Sequence, residues 1–426
     1  MTNDRRQAWT ALALLLGMNL LNYIDRQVLA AVEPQIEQSL FLAHDAHDPI
    51  VQTKMGLLGS AFMISYMIAA PVFGLLAGRW PRWKLLAAGA VVWSLASGAS
   101  GLATGFAVLL ATRALVGVGE GAYGPVAPAL LSDLFPVAVR GRMMAWFYMA
   151  IPLGGALGYA LGGQLAHLNP AGESWRWAFY VVVPPGLLVA LWALLMREPA
   201  RGGADQRPAP PRRLPAKSYL VLLRTPSLVL VTLGMTAMSF ALGGLAFWMP
   251  KYLQIQKVPD VCGLTPVTFF GLLTASVGLV ATLAGGWAGD RLRQRWSGSY
   301  FLVSGAGLLV CVPCTWLCLT MPFPLAWVFL GLAVFFLFFN TGPTNTIVAN
   351  VTHPAMRAGA FALNILVIHA LGDAISPAVV GAIADRWSLV HAMVAVSLFM
   401  ALGGVAWLWG ARYLQRDTEA AALRVP

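Results

Sequence analysis

Gly74-Leu75-Leu76-Ala77-Gly78-Arg79 closes one long apolar run, and Gly286-Trp287-Ala288-Gly289-Asp290-Arg291 closes another in the second half of the chain. Each follows the second apolar run of its half. A repeated hydropathy pattern carrying a repeated short loop is the mark of a membrane protein built from two parallel copies of one helical unit. Working outward from these two loops, stretches bounded by charge, Pro or Gly predict twelve helices. They begin near Trp9, Met55, Leu85, Phe106, Met143, Trp177, Pro226, Thr265, Ser299, Leu325, Ala358 and Trp387. The predicted fold class is an all-α membrane protein of two six-helix bundles, residues 1–196 and 225–426, joined by a segment over 197–224.

Composition supports the membrane. The 426 residues are 58% hydrophobic and 11% charged, with a mean hydropathy of +0.71, whereas soluble domains carry about 25% charge. Many apolar runs exceed the roughly 18 residues that cross hydrocarbon. A secreted enzyme, a nucleic-acid binder and a peripheral protein are excluded. The net charge of +11 does not imply nucleic acid, because the basic residues punctuate the apolar runs. With both termini in the cytoplasm, 21 of the 28 Lys and Arg fall inside, 5 outside and 2, Arg26 and Arg113, within helices. The positive-inside rule therefore selects that orientation, in a multi-pass inner or plasma membrane protein. The segment 197–224 holds five prolines among its basic residues and reads as a solvated, extended cytoplasmic linker.

Ionisable residues at membrane depth cost about 2.5 to 3.5 kcal/mol on insertion scales and need a partner or a wet cavity. This chain keeps Asp25, Arg26, Arg113, Glu120 and Asp373 there, with His369 beside the last. Arg113 and Glu120 are seven residues apart, two turns on one helix face and roughly 10.5 Å along it, too far for a short ion pair. Asp25 is the expected partner of Arg113. Asp25, Arg113 and Glu120 are predicted to couple transport to protons, with Arg113 exchanging between a carboxylate and an anionic ligand. Asn19, Asn22, Tyr23 and Arg26 recur at helical spacing as a polar stripe facing a central cavity. Tyr123, Tyr148, Phe240, Asn340, Asn345, His369 and Asp373 complete the expected substrate cavity. Helix-to-helix hydrogen bonding is the alternative role of such asparagines. Pro343, among Asn340, Gly342 and Asn345, predicts a kink in the tenth helix.

With these residues in view, the chain resembles the major facilitator superfamily, whose loop signature is Gly-x-x-x-Asp-Arg-x-x-Arg/Lys. Gly74, Arg79 and Arg82 match it, and Gly78 stands at the aspartate position. Asn22-Tyr23-Ile24-Asp25-Arg26, Gly117 to Tyr123, Phe147 to Pro152 and Leu371 to Pro377 are similar to the Spinster family within it. The resemblance implies alternating access and an amphiphilic anion such as a lysolipid or sphingoid phosphate, with proton linkage. A small organic or sugar acid is the alternative, and a non-transporting membrane receptor a further one. Gly74, Gly78, Arg79, Arg82, Asp290 and Arg291 are expected to form the cytoplasmic gate. Because Gly78 cannot act as a latch, the outward-facing state is expected to be less firmly held on that side. No catalytic constellation, cofactor or metal ligation is predicted, and Cys311, Cys314 and Cys318 read as packing thiols. The expected partners are the bilayer, a small solute and protons, for a chain acting as a monomer.

Overall fold

A computed structural model describes residues 3–32, 35–36, 38–42, 51–167, 174–205 and 220–423. The first half runs through α1 (Asn3–Ala31), α2 (Val51–Leu76), α3 (Arg82–Gly101), α4 (Phe106–Leu134), α5 (Val137–Tyr148), α6 (Ala150–His167), α7 (Trp175–Tyr180) and α8 (Val183–Leu195). The second half runs through α9 (Pro226–Ile255), α10 (Pro266–Arg293), α11 (Ser299–Thr320), α12 (Leu325–Phe338), α13 (Thr341–Asn350), α14 (Arg357–Ile368), α15 (Ser376–Arg386), α16 (Leu389–Gly410) and α17 (Leu414–Ala420). Helices α5 with α6, α7 with α8, α12 with α13 and α14 with α15 each continue one crossing through a short irregularity.

Ten helices among the described residues are long and apolar enough to span a bilayer. The other two expected crossings, α1 and α3, have the length but not the apolarity. Their polar residues are the cause: Asn19, Asn22, Asp25 and Arg26 on α1, and Ser94, Ser97 and Ser100 on α3. All but Arg26 are buried, and Ser97 donates a hydrogen bond to Asp25. Polarity that disqualifies each helix alone is partly matched within the bundle, through Asn19, Asp25, Ser97 and Ser100.

Within lipid, apolar side chains gain little by leaving one hydrocarbon for another, so association rests on close packing. The sequence supplies it through small residues. Gly154, Gly158 and Gly162 on α6 lie against α1, where a Cβ at Gly158 would stand 2.7 Å from the Ile24 carbonyl oxygen. Helix α2 packs on α4, and in the second bundle α9 and α11 pack on α16. The bundles meet along α2 and α4 against α14, and along α5 and α6 against α10 and α13.

The kink expected from Pro343 lies at Phe339 and Asn340, one turn before the proline, where α12 ends and α13 begins and where the ring would meet the i−4 carbonyl. Pro343 thereby enters the first turn of α13, where its missing N–H needs no partner. Gly285 on α10 lets that break approach, since any Cβ there would collide with the Phe339 carbonyl.

Residues 197–205 differ from the expected solvated linker. Glu198 accepts from Arg82 Nε at 2.6 Å and from its backbone N–H at 3.0 Å. Trp83 Nε1 donates to the Arg197 carbonyl and Arg201 to the Ala77 carbonyl. A single 3₁₀ turn, Gly203–Asp205, follows. The carboxylates scattered in this basic segment meet arginines of the bundles, Glu198 at Arg82 where α3 starts and Asp205 at Arg140 of α5 and Arg357 of α14, and that pairing docks it. The proline-rich residues 206–219 lie outside the described residues. Gln7 donates to the Arg197 carbonyl and Asp417 accepts from the Ser227 N–H at the start of α9. The described chain ends and the linker therefore share one face, termed here the linker face.

Candidate functional site: a charged seat between the bundles

Helices α1 and α4 deliver the charges. Asp25 and Arg26 are neighbours, so their side chains diverge by about 100° around α1. Arg26 Nε meets Glu120 Oε2 at 2.6 Å, with side-chain exposures of 17% and 0%. Asp25 turns to Arg113, whose Nη1 lies 3.8 Å from Asp25 Oδ2, with both side chains buried. That separation is an ion pair without a direct hydrogen bond. Two acids and two bases balance, which reduces the cost of burying them.

This arrangement keeps the expected Arg113–Asp25 pairing and gives Glu120 to Arg26, the more exposed of the two arginines. Arg113 is only 1% exposed and lies near the faces of Phe62 and Phe179. Arg26 is the half of the quartet that retains access. Its guanidinium carbon lies 5.0 Å from the Tyr23 and Phe62 ring centroids and 4.9 Å from that of Tyr66. Phe62 and Tyr66, both on α2, were not singled out from the sequence; only their one-turn spacing on the second crossing pointed to them. Glu120 Oε1, Asp25 Oδ2, Arg113 Nε and Asn22 Nδ2 are buried without a hydrogen-bond partner.

Across the seam, α14 ends in a π turn, His369–Asp373. His369 Nδ1 pairs with Asp373 Oδ2 at 2.9 Å, and these side chains are 16% and 27% exposed. The His369 ring meets the Tyr66 ring edge-on at 5.7 Å, so the first-bundle seat and the second-bundle pair are in contact. Tyr148 donates to Asn345 Oδ1 at 2.9 Å, another bond between the bundles.

Other residues of the expected cavity are placed elsewhere. Asn19 donates to the Phe147 carbonyl at 2.8 Å and Tyr123 to that of Leu15, both inside the first bundle. Asn340 donates to the Phe336 carbonyl and is buried. Phe240 is buried and stacks on Phe399 at 4.3 Å, on the α9–α16 contact inside the second bundle. These positions follow helix-bonding geometry, the alternative role of a membrane asparagine.

The linker face holds a second charged cluster. Asp290 accepts the backbone N–H groups of Gly141 at 3.0 Å and Arg142 at 2.9 Å, and the Tyr300 hydroxyl at 2.7 Å. It thus latches α10 to α5. On the pseudo-equivalent side, Gly74 lies against Gly359 and Ala362 of α14, while Gly78 offers no side chain. Asp133, at the end of α4, is gripped by Arg82 and by Arg357 of the second bundle, each at 2.5 Å. Arg79 and Arg291 are exposed. Asp205 of the linker bonds both Arg140 and Arg357. Burial raises the Asp205 carboxyl, but the Arg357 and Arg140 guanidiniums outweigh it and hold it below the ordinary carboxylate range.

Two helical bundles with a charged seat at their seam define a membrane transporter, and the sequence profile of the Major Facilitator Superfamily matches residues 15–377. Protein spinster homolog 3 of Danio rerio is 33% identical, over 99% of this chain and 88% of its own length. Protein spinster homolog 1 of Homo sapiens is 35% identical, over 97% of this chain and 82% of its own. The chain belongs to the Spinster family of that superfamily. Its fold is shared with a bacterial homologue of the human lysosomal transporter Spinster, solved inward-facing and unoccupied, at a TM-score of 0.66 and 21% identity over 98% of this chain and 99% of that one. The human organic anion transporter MFSD10 shares it at a TM-score of 0.78 and 18% identity, over 96% of this chain and all of that one.

Proposed function

We propose that this chain moves an amphiphilic anion of lysolipid type across the cell membrane by alternating access, linked to protons. The observation that carries the reading is the seat of Arg26, which pairs with one buried carboxylate, touches three aromatic rings and keeps partial exposure. A planar guanidinium binds phosphate or carboxylate through two parallel hydrogen bonds. The rings of Phe62 and Tyr66 supply apolar walls for the first carbons of a chain.

Glu120 and an anionic head compete for the same guanidinium. When Glu120 takes up a proton, its hold on Arg26 weakens and the head replaces it; loss of the proton returns Arg26 to Glu120 and expels the head. Asp25 and Arg113 stay paired behind and keep the remaining charge balanced. His369 and Asp373 close on the ligand from the second bundle. A compact sugar acid would use the same arginine, but the aromatic walls favour a ligand with an apolar part, as does the Spinster resemblance. The excess of basic residues in the loops of one side supports cytoplasmic termini.

A binding screen of purified protein across lysophospholipids, sphingoid phosphates and sugar acids, at two pH values, tests the class of ligand. Saturable lysolipid or sphingoid-phosphate binding is expected, stronger at the more acid pH. Arg26→Lys, which keeps the charge but loses the planar fork and its stacking, should weaken it on the order of tenfold. Equal affinity in Arg26→Lys, or binding confined to sugar acids, would contradict the assignment.

A further inference from the structure

We propose that Asp205, carried by the segment between the bundles, is a gating residue: it clamps one arginine from each bundle and must release the second bundle's arginine before the linker face can open. Arg140 and Arg357 occupy matching places. Each lies just after a proline, Pro136 or Pro354, at the start of the fifth or eleventh crossing. Each reaches into the other bundle at the preceding helix end, Arg140 to Asn350 Oδ1 at 2.5 Å and Arg357 to Asp133 Oδ1 at 2.5 Å. Both guanidiniums are fully buried, and Asp205 bonds Nη2 of each.

Among the described residues, the hydrogen bonds that hold the segment carrying the clamp lie on the first-bundle side. Besides the contacts of Glu198 and Arg201, the Gly202 N–H donates to Asp133 Oδ1 at 2.9 Å and Arg82 Nη2 to the Pro199 carbonyl at 3.0 Å. All of these partners belong to the first bundle or its own attached segment. Arg140 is fixed to that bundle too, through the Ser132 carbonyl at 2.6 Å and the Phe135 carbonyl at 3.2 Å. Arg357 is rooted in the second bundle, by its bond to the Ala349 carbonyl at 3.0 Å. If the bundles part on this face, Asp205 stays with Arg140 and loses Arg357.

The contact also explains how two buried guanidiniums tolerate one another, because the carboxylate between them offsets their repulsion. It stands on the side where Gly78 supplies no latch. Asp205 and Asp133 together provide there the carboxylate grip that Asp290 provides on the other side. Charge-assisted hydrogen bonds of this kind are among the stronger ones, so removing one should shift the closed-to-open balance on the order of tenfold.

The inference rests on the alternating-access reading, and the test separates the two. Ala145 is buried at the seam, its side chain facing Gly286 and Gly342 of the second bundle. In a Cys262→Ser background, Ala145→Cys is labelled with a hydrophilic maleimide in detergent, without substrate. Asp205→Asn should label about tenfold faster than its parent at an unchanged elution profile and melting temperature, and Asp205→Glu should return the rate toward the parent's. Asp205→Ser is read the same way if Asp205→Asn does not purify as a single species. A parent that labels slowly, with Asp205→Asn and Asp205→Ser no faster, would overturn the clamp while leaving the opening itself in place. A parent and variants that never label would overturn both.

Discussion

At the scale of single residues, the decisive choice is which arginine meets Glu120. Arg113 shares a helix face with Glu120, yet the helix rise keeps them two turns apart, and the short contact comes from Arg26 on another helix. That an intramembrane charge must be paired was legible from the sequence, since hydrocarbon makes unpaired charge so costly. The pairing of Arg113 with Asp25 was legible as well. The short contact of Arg26 with Glu120 was not, because it depends on how α1 is rotated against α4, and α1 is set by the close approach of α6 at Gly154, Gly158 and Gly162. Ser97 supports that quartet: Ser97→Ala leaves a buried Asp25 oxygen without its donor. A stability loss of about 1 to 3 kcal/mol is expected, read as a lowered melting temperature in detergent. An unchanged melting temperature would show that the Ser97 bond contributes nothing.

At the scale of elements, helix irregularities set the positions of the polar groups. The break between α12 and α13 places Pro343 in a first turn, so Pro343→Ala should change stability by less than about 1 kcal/mol. A loss well above about 1 kcal/mol in Pro343→Ala, read as a lowered melting temperature, would contradict that placement. Gly158→Leu should do much more harm, because the added side chain meets the α1 backbone at Ile24 and pushes Arg26 out of register with Glu120. Lower stability and lower transport are expected together; wild-type flux in Gly158→Leu would contradict it. Helix positions were readable from hydropathy and charge, α1 and α3 included, although those two are more polar than a lone span allows. The docking of residues 198–205 was not readable, because Glu198 and Asp205 are hidden among prolines and arginines. The recurrence of an arginine shortly after Pro136 and Pro354 is the signal that would have exposed the clamp.

At the scale of the whole molecule, the proposed function and the proposed clamp give two charged clusters separate duties: the seat at the bundle seam would select and release the ligand, and the linker face would hold the bundles closed. Their pH behaviour should differ accordingly. The carboxyl of Asp205 is held below the ordinary carboxylate range, so the stability it contributes is present above that range and is lost only as pH falls through the lowered value. Between roughly pH 5 and 8 the clamp stays ionised, and Asp205→Asn should change transport rate without moving the shape of its pH profile. A shifted profile in Asp205→Asn would make the clamp, and not the seat, the proton-sensing element. The most direct measurement of the central claim is lysolipid flux into proteoliposomes as a function of pH, for the parent protein and Glu120→Gln. Loss of pH dependence in Glu120→Gln, with substrate binding retained, is the predicted result; flux and a pH profile identical to the parent's would contradict the proposed coupling of Arg26 and Glu120.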